Sequence, residues 1–239
     1  MKILVTGATS GIGRQLAVDY QTLGNEVWAI GRNESQLAEL ASLGLHAAKV
    51  DLTDREASLA WFAGLTSLDL AILNAGTCEY IDLPDFDSRL VSRVLRANVE
   101  TMAVSIEGVL PLLRKGVNPH LVGIGSSAAY LPLPRAEAYG ASKAAVAYLI
   151  DTLRVDLQRE GIDVSLVSPG FVKTPLTDRN DFPMPFLVTV EEASVAIRRG
   201  IARRRSEIHF PRRFTLPMKI LSWLPRTLWS RLAQNMVKP

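Results

Sequence analysis

Short apolar runs alternate with longer segments of helical periodicity along most of the chain. The runs are rich in β-branched residues, which favours strands, whereas the segments between them repeat apolar residues every three or four positions. The runs predict seven strands, at Lys2–Thr6, Glu26–Ile30, His46–Val50, Leu68–Leu73, Leu121–Gly125, Asp163–Ser168 and Glu207–Phe210. The periodic segments predict helices at about 11–24, 33–43, 54–63, 87–113, 138–160 and 191–204.

The strand runs are apolar almost throughout, as expected of parallel strands that helices cover on both faces. Regular alternation of strand and helix, joined by right-handed crossovers, predicts an α/β fold with one doubly wound parallel sheet of about seven strands. Ligands of such sheets bind at the carboxyl ends of the strands. We therefore expect the functional residues where the strands end.

Two segments interrupt the alternation. Residues 175–190 contain Pro183 and Pro185 and follow a predicted strand, where a substrate loop or lid would lie. Residues 211–239 predict two short helices, at Leu216–Trp223 and Pro225–Met236, and Leu224, Leu228 and Leu232, continued by Met236, form an apolar stripe at four-residue spacing. We expect one domain over residues 1–210, which includes the loop, and a basic amphipathic helical extension at 211–239 that packs on it.

Charge is distributed unevenly along the chain. The net charge is +3, but residues 198–239 carry eleven Lys or Arg and one acid, whereas residues 1–197 carry sixteen basic and twenty-three acidic residues. Three roles fit the basic extension: a helical lid or subunit contact, which we favour, a peripheral contact with a membrane, or attraction of an acidic carrier or anionic substrate. No recognition motif for nucleic acid accompanies the charge.

Composition excludes several classes of protein. Apolar residues make up 48% of the chain and charged residues 21%, which is typical of a globular protein. The single cysteine, Cys78, rules out an intramolecular disulfide and a cysteine-based zinc site, and the three histidines share no ligand spacing, so we expect no metal. The sequence has no signal-like segment and no bilayer-spanning apolar run, which favours a cytoplasmic protein.

A glycine-rich segment follows the first predicted strand and opens the first helix. It runs from Thr6 to Gly13 as TGATSGIG, with Thr9, Ser10 and Ile12 between the glycines. Gly7 allows a tight turn, Gly11 lets the backbone approach a pyrophosphate, and Gly13 permits close packing of helix and strand. An ordinary glycine turn is the alternative, but the position between strand and helix favours a phosphate loop at a helix N-terminus.

Five further motifs follow in chain order: Asn74-Ala75-Gly76, Asn98, Ser126, Tyr139-x-x-x-Lys143 and Pro169-Gly170-Phe171-Val172-x-Thr174. Together with the glycine loop they resemble the short-chain dehydrogenase/reductase family over about residues 1–210. The resemblance implies a Rossmann fold, an NAD(P)-dependent oxidoreductase, and a homodimer or homotetramer that pairs through the helices at 87–113 and 138–160.

The resemblance also implies contacts with the cofactor. Asp51 and Leu52 match the adenine-edge pair, and Asn74, Ala75 and Gly76 match the wall behind the ribose on the adenine side. Pro169, Gly170, Val172 and Thr174 match the segment that meets the nicotinamide carboxamide. Asp51 is otherwise a plausible helix cap, and Asn-Ala-Gly would also serve as a turn that ends a strand.

The end of the second predicted strand indicates which nicotinamide binds. An acid that would bind a ribose 2′-hydroxyl is absent there, and Gly31-Arg32 follows the strand instead. A guanidinium suits a 2′-phosphate by charge and geometry, so we expect NADP(H) in preference to NAD(H). The alternative is that Arg32 is a solvated loop residue.

Tyr139 and Lys143 share one helix face, four residues apart. An ammonium fixed about 4 Å from a phenol would lower the phenol's pKa by roughly three units, which makes the pair a suitable acid and base. The resemblance implies that Ser126 polarises the substrate oxygen and that Asn98 holds a water near the lysine. The adjacent Ser127 is the alternative candidate for the catalytic serine. The alternative for Asn98 is a polar helix residue without a functional role.

The expected reaction is the interconversion of a hydrophobic ketone or aldehyde and its alcohol. The expected pocket is largely apolar and is formed by Tyr130, Leu131, Leu133, Phe171, Phe182, Met184, Phe186 and Leu187. One alternative is a sensor or scaffold that binds NADP(H) without turnover. Another is a peripheral membrane reductase that acts on a lipid-like or acyl substrate.

Overall fold

A computed structural model describes residues 1–234. The strands are β1 Lys2–Thr6, β2 Glu26–Gly31, β3 His46–Lys49, β4 Leu70–Leu73, β5 His120–Ile124, β6 Asp163–Pro169 and β7 Glu207–Phe210. The helices are α1 Gly11–Thr22, α2 Glu34–Ser42, α3 Arg55–Ala63, α4 Ser88–Leu95, α5 Thr101–Leu113, α6 Glu137–Leu157, α7 Val190–Ala202, α8 Arg212–Leu221 and α9 Arg226–Gln234.

The seven strands form one sheet in the order β3-β2-β1-β4-β5-β6-β7, and every neighbouring pair is parallel. The predicted doubly wound α/β fold is confirmed. The strand order reverses between β1 and β4, so their connections leave in opposite directions and open a crevice at the carboxyl edge. The glycine loop after β1 lies at this crevice.

The core has one layer on each face of the sheet. One layer holds side chains of α1 and α7, such as Leu16 and Ile197, against the sheet. The other holds side chains of α3, α5 and α6, such as Phe62, Val109 and Ile150. Coverage on both faces explains why the strands read as continuous apolar runs.

The helix predicted at 87–113 is interrupted. Residues Arg96–Glu100 form a π-helical turn between α4 and α5. A π turn widens the backbone by one residue and is often found at functional sites. Asn98 therefore lies in this turn and not in the middle of an α-helix.

The extension forms two helices, but its first helix begins earlier than predicted. It starts at Arg212 and contains Pro217, whereas the sequence predicted a start at Leu216. The predicted end of the second helix, Met236, lies outside the described residues. The buried indole of Trp229 anchors α9, since its Nε1 donates to the carbonyl of Pro132 at 2.8 Å.

The tail helices pack beside the turn that follows β5. Leu131, Met218 and Trp229 form a small buried cluster with partly buried neighbours from both segments. The stripe predicted on α9 does not supply this contact, because Leu228 and Leu232 are exposed.

Residues 175–190 form a closed excursion after β6. Lys173 N donates to Val188 O at 2.9 Å, and Val188 N donates to Phe171 O at 3.1 Å, which joins the two ends of the loop. A short 3₁₀ turn at Thr177–Arg179 lies within it. Among residues 1–234, no helix has the length and apolarity needed to cross a bilayer.

Candidate active site

The loop between β1 and α1 has room only for glycine at its key positions. Gly7 and Gly11 have positive φ, at 63° and 52°. A Cβ on Gly7 would lie 2.8 Å from Ala75 Cα, and a Cβ on Gly13 would lie 2.4 Å from Gly7 O. The backbone of this loop is therefore bare and tightly folded against the sheet.

The N-terminus of α1 has no side-chain cap. Ser10 is the N-cap residue, yet its side chain makes no capping hydrogen bond, and the first turn has no acid. By contrast, Asn33, Asp54 and Asp87 cap α2, α3 and α4 with their side chains. Uncapped N–H groups at the positive end of a helix suit an anion. The residues present therefore fit the diphosphate of a dinucleotide.

Asn74 holds the glycine loop in shape. Its Nδ2 donates to the carbonyls of Thr6 and Gly7, both at 3.2 Å. The Thr6 hydroxyl in turn accepts from the backbone N–H groups of Asn74 and Ala75, at 2.9 and 3.0 Å. The first two residues of the Asn-Ala-Gly motif thus join the end of β4 to the turn after β1.

The end of β2 presents Arg32 to solvent. Arg32 is exposed and forms no ion pair with any residue in 1–234. A Cβ at Gly31 would lie 2.6 Å from Cγ2 of Thr9, so Thr9 of the phosphate loop packs directly on the residue before Arg32. The guanidinium and the phosphate loop therefore lie at the same edge of the sheet.

Asp51 and Leu52 follow β3 at this edge. The pKa of Asp51 is lowered first by a hydrogen bond from the Thr53 backbone, and the charges of Arg32 and Arg96 add to the effect. Asp51 is not the cap of α3, since Asp54 takes that role. The Leu52 side chain is buried, so only its backbone is open to a ligand.

The segment after β6 reaches the glycine loop. A Cβ on Gly11 would meet Cγ2 of Thr174 at 3.0 Å, so these two residues face each other across the crevice. Thr177 fixes the segment, because its hydroxyl donates to Val172 O at 2.7 Å and accepts from Thr174 N at 2.9 Å. Pro169 and Gly170 make the turn that brings the segment here.

Ser126, Tyr139 and Lys143 meet at the end of β5. Lys143 is 6% exposed, and its Nζ donates to the carbonyl of Ile124 at 3.1 Å. The same nitrogen lies 5.8 Å from the centre of the Tyr139 ring. Ser126 hydrogen-bonds the phenol of Tyr139, whereas Ser127 is buried. The three predicted residues therefore share one site, in which Ser126 contacts the tyrosine.

Burial dominates the electrostatics of this site. It raises the pKa of Tyr139 above its ordinary value, while the hydrogen bond from Ser126 acts in the opposite direction. It lowers the pKa of Lys143 to about 8. Burial therefore acts against the expected lowering of the phenol's pKa by the ammonium, and that lowering stays a prediction.

Asn98 is buried, and its side chain bridges Thr77 and Ser142, an arrangement that we call the Asn98 clamp. Its Oδ1 accepts from Thr77 N at 2.6 Å, and its Nδ2 donates to Thr77 O at 3.0 Å and to the Ser142 hydroxyl at 2.8 Å. Ser142 then donates to the carbonyl of Tyr139 at 2.7 Å. Gly76 is required beside this clamp, since a Cβ there would lie 2.8 Å from Asn98 Oδ1. The side chain of Asn98 therefore links the strand-β4 loop to the first turn of α6.

Cys78 and Tyr80 were not predicted as residues of the site. Burial raises the pKa of the Cys78 thiol, which hydrogen-bonds Tyr80 and interacts electrostatically with Lys143. Tyr80 interacts in turn with Tyr139. The one sequence signal that could have found Cys78 is its position, two residues after the Asn-Ala-Gly motif at the end of a strand.

Aromatic side chains line the crevice beside Tyr139. Phe182 of the 175–190 loop packs edge-on against Tyr80 at 5.3 Å and lies 6.1 Å from Phe171, whose ring is 5.2 Å from Phe214 of α8. The predicted pocket residues Phe186 and Leu187 are exposed instead. The apolar wall thus includes a residue of the tail.

Comparisons with known proteins agree with this architecture. The family model described as "short chain dehydrogenase" matches residues 1–182. The chain belongs to the short-chain dehydrogenase/reductase family. An uncharacterized oxidoreductase of Myxococcus xanthus is 35% identical over 98% of this chain and 96% of its own length.

Two solved structures are similar to this short-chain dehydrogenase over most of its length. One is a short-chain dehydrogenase from Sphingobium yanoikuyae in complex with NADPH, with 26% identity, a TM-score of 0.82, and coverage of 96% of this chain and 95% of that one. The other is a serine dehydrogenase complexed with NADP⁺, with 26% identity, a TM-score of 0.78, and coverage of 88% and 94%. The chain is therefore an NAD(P)-dependent dehydrogenase or reductase.

Proposed function

We propose that this protein is an NADPH-dependent reductase of hydrophobic ketones or aldehydes, with Tyr139 as the proton donor. The observation that carries the proposal is the arrangement of Tyr139 over a buried Lys143 and beside Ser126. This group lies at the carboxyl end of β5, next to a glycine loop that suits a dinucleotide. Such a site joins proton transfer to cofactor binding.

Ser126, Tyr139 and Lys143 have different roles in the proposed reaction. Ser126 donates a hydrogen bond to the substrate oxygen and holds it next to the phenol. Tyr139 gives its proton to that oxygen as the carbonyl carbon is reduced, and its raised pKa keeps the phenol protonated at neutral pH. Lys143, which keeps most of its charge below pH 8, stabilises the phenolate that forms.

A bound nicotinamide supplies the hydride in this chemistry. The residues that would hold the cofactor are those around the glycine loop and the ends of β2, β3, β4 and β6: Gly7, Thr9, Ser10, Gly11, Ile12, Gly13, Arg32, Asp51, Leu52, Asn74, Ala75, Gly76, Pro169, Gly170, Val172 and Thr174. Asn98 positions the first turn of α6 through Ser142.

Arg32 supports the preference for NADPH over NADH. It is exposed at the end of β2, makes no ion pair within residues 1–234, and stands where an acid would recognise the ribose 2′-hydroxyl. Arg96 contributes a second positive charge near Asp51. Two solved relatives have NADP⁺ or NADPH in their complexes.

The aromatic wall supports a hydrophobic substrate. Tyr80, Phe171, Phe182 and Phe214 form a connected series of ring contacts. Such a wall removes apolar substrate surface from water and does not neutralise charge.

Steady-state oxidation of NADPH and NADH, with a panel of ketones, aldehydes, β-ketoacyl thioesters and quinones, tests the proposal. We expect turnover with apolar carbonyls and a higher kcat/KM for NADPH. Arg32→Ala should raise the KM for NADPH about tenfold and leave that for NADH nearly unchanged. Arg159→Ala, an exposed arginine outside the site, is the matched control. Equal use of both cofactors by the unaltered enzyme would contradict the cofactor preference, and turnover confined to small charged carbonyls would contradict the substrate class.

A further inference from the structure

The two tail helices and the turn between them carry large apolar residues that are exposed. On α8 and the turn that follows it, Leu216, Ile220 and Trp223 follow one another at helical spacing, and all three are exposed. Trp223 is 86% exposed. On α9, Leu228 and Leu232 are exposed one turn apart. We call these five residues the outer tail face.

The opposite side of α8, and the stripe of α9 that contains Trp229, already pack against the domain. Met218 and Trp229 are buried in the cluster with Leu131, and Phe214 contacts Phe171. The inner sides therefore hold the tail in place without the outer tail face. A surface helix is normally polar on its solvent side, so the apolar outer side indicates that something covers it.

Positive charges predominate around the outer tail face. Residues 208–239 contain six Lys or Arg and no Asp or Glu. A surface that combines exposed leucine and tryptophan with an excess of cations is typical of a helix that lies in the interface of a membrane. Two copies of this face would bring like charges together, which disfavours self-association through it.

An arginine-lined cavity continues from the outer tail face. The cavity has a volume of about 330 Å³ and lies along the free edge of β7 and the end of α7, with Arg199, Arg203, Arg205 and Arg212 among its lining residues. None of these four forms an ion pair with another residue of the described chain. The one carboxylate there, Glu207, is already paired with Lys219.

Arg212 connects the cavity with the apolar residues. It is the first residue of α8, one turn before Leu216, so cavity and outer tail face adjoin along one helix. Phosphate groups are the anions that a guanidinium binds best by charge and geometry. Phospholipid headgroups present such phosphates next to an apolar layer, which matches both halves of this surface.

We propose that the outer tail face and the arginine cavity dock this protein on the surface of a bilayer that contains anionic phospholipids. Trp223, Ile220 and Leu216 enter the boundary between headgroups and acyl chains, and the arginines bind headgroup phosphates. The proposed attachment is peripheral, through the surface of these two helices. The helix that borders the substrate crevice with Phe214 then faces lipid with its other side.

Co-sedimentation of the full-length protein with vesicles tests the proposal. The vesicles are phosphatidylcholine alone, or phosphatidylcholine mixed with phosphatidylglycerol. The protein should pellet with the mixed vesicles, remain in solution with phosphatidylcholine alone, and dissociate as the salt concentration rises. Failure to bind the mixed vesicles at low salt would overturn the proposal.

Two pairs of variants locate the contact. Trp223→Gln should weaken binding to mixed vesicles about tenfold, whereas Val117→Gln, which alters an exposed valine elsewhere, should not. Arg203→Gln with Arg205→Gln should weaken the same binding, whereas Arg159→Gln should not. The double variant Leu228→Gln with Leu232→Gln should also weaken binding to mixed vesicles, because it removes the exposed apolar residues of α9. Thermal unfolding midpoints establish that each variant is folded.

Sedimentation velocity without lipid distinguishes a second copy from a membrane. The unaltered protein and Trp223→Gln should have the same sedimentation coefficient, because the outer tail face does not join two chains. A smaller coefficient for Trp223→Gln, with unchanged binding to vesicles, would show that the face joins two chains and would overturn the proposal.

Discussion

At the scale of single residues, the site is governed by how far each ionisable group is removed from water. Lys143 is a cation in a nearly closed environment, with the carbonyl of Ile124 as its hydrogen-bond acceptor. Burial lowers its pKa to about 8. The protein therefore keeps a charge there that opposes folding at neutral pH, as expected of a group retained for function.

Lys143→Met is expected to make the protein more stable at pH 7. The folded pKa of about 8 lies below the ordinary 10.5, so the unfolded chain binds more protons between these pH values. The cost of the buried charge is complete below pH 8 and disappears as the pH rises toward 10.5. The gain at pH 7 should be roughly 2 kcal/mol, since loss of the bond to Ile124 offsets part of it.

Urea denaturation at pH 7 and pH 10 measures this effect. Lys173→Met, at an exposed position, is the matched control and should change the free energy of unfolding little. An advantage of Lys143→Met that is equal at both pH values, or a loss of stability at pH 7, would contradict the account of the buried ammonium.

Cys78 offers a chemical probe of the same site, because it is the only cysteine in the chain and interacts with Lys143 and Tyr80. Alkylation by iodoacetamide should abolish carbonyl reduction by filling the space beside Tyr139. The reaction should be slow at neutral pH and faster as the pH rises, since burial raises the thiol's pKa. Residual turnover after stoichiometric labelling, measured by mass spectrometry, is the readout.

Cys78→Ala is the control for this labelling. The variant should keep most of its activity and resist iodoacetamide, because the thiol takes no part in the proposed proton transfer. Labelled protein that turns over at the original rate would show that Cys78 is not beside the reacting groups.

At the scale of elements, one arginine connects the two loops that border the crevice. Arg135 lies at positive φ, 64°, just before α6. Its guanidinium pairs with Asp82 at 2.6 Å and with Asp181 of the 175–190 loop at 2.5 Å, and it lies over the ring of Tyr80 at 5.6 Å. The substrate loop is thereby held against the loop that follows β4.

Arg135→Gln should weaken substrate binding more than it slows chemistry. The side chain touches neither Tyr139 nor Lys143, so loosening the loop should raise the KM for an apolar carbonyl several-fold and leave kcat within about twofold. Arg179→Gln, in the same loop but exposed, is the control and should change neither constant. A fall in kcat at constant KM would contradict a role in holding the loop.

The elements also show what the sequence could predict. Buried parallel strands have a strong apolar signal, so all seven were found, and β1 and β7 were found with their observed bounds. The π turn at Arg96–Glu100 was missed because no proline or glycine marks it. The start of α8 was placed too late because Pro217 suggests a helix beginning, whereas here it lies inside the helix.

Periodicity could not tell which stripe of the tail packs. On α9, Leu228 and Leu232 read as the buried face, but Trp229 is the residue that fills the space beside Leu131. The stripe with Leu228 and Leu232 and the stripe with Trp229 are both apolar. Which of them is buried depends on the shape of the turn after β5, against which the helix packs. For the same reason the sequence did not place Phe214 in the aromatic wall or Cys78 beside Lys143, since these contacts join segments far apart in the chain.

At the scale of the whole molecule, the sheet brings the cofactor loop, the acid–base residues and the apolar wall to one edge. The reversal of strand order between β1 and β4 opens the crevice, and the ends of β5 and β6 supply its other side. The tail contributes Phe214 from the last part of the chain. The proposed substrate wall is therefore not confined to the segment that the family model matches, residues 1–182.

The central claim is that Tyr139 donates the proton during carbonyl reduction. The most direct test is NADPH oxidation by Tyr139→Phe in the presence of the best apolar carbonyl, alongside NADPH binding measured by fluorescence. Turnover should fall by at least about a hundredfold, whereas the Kd for NADPH should change little because the glycine loop and Arg32 remain. Turnover of Tyr139→Phe at the rate of the unaltered enzyme would contradict the claim.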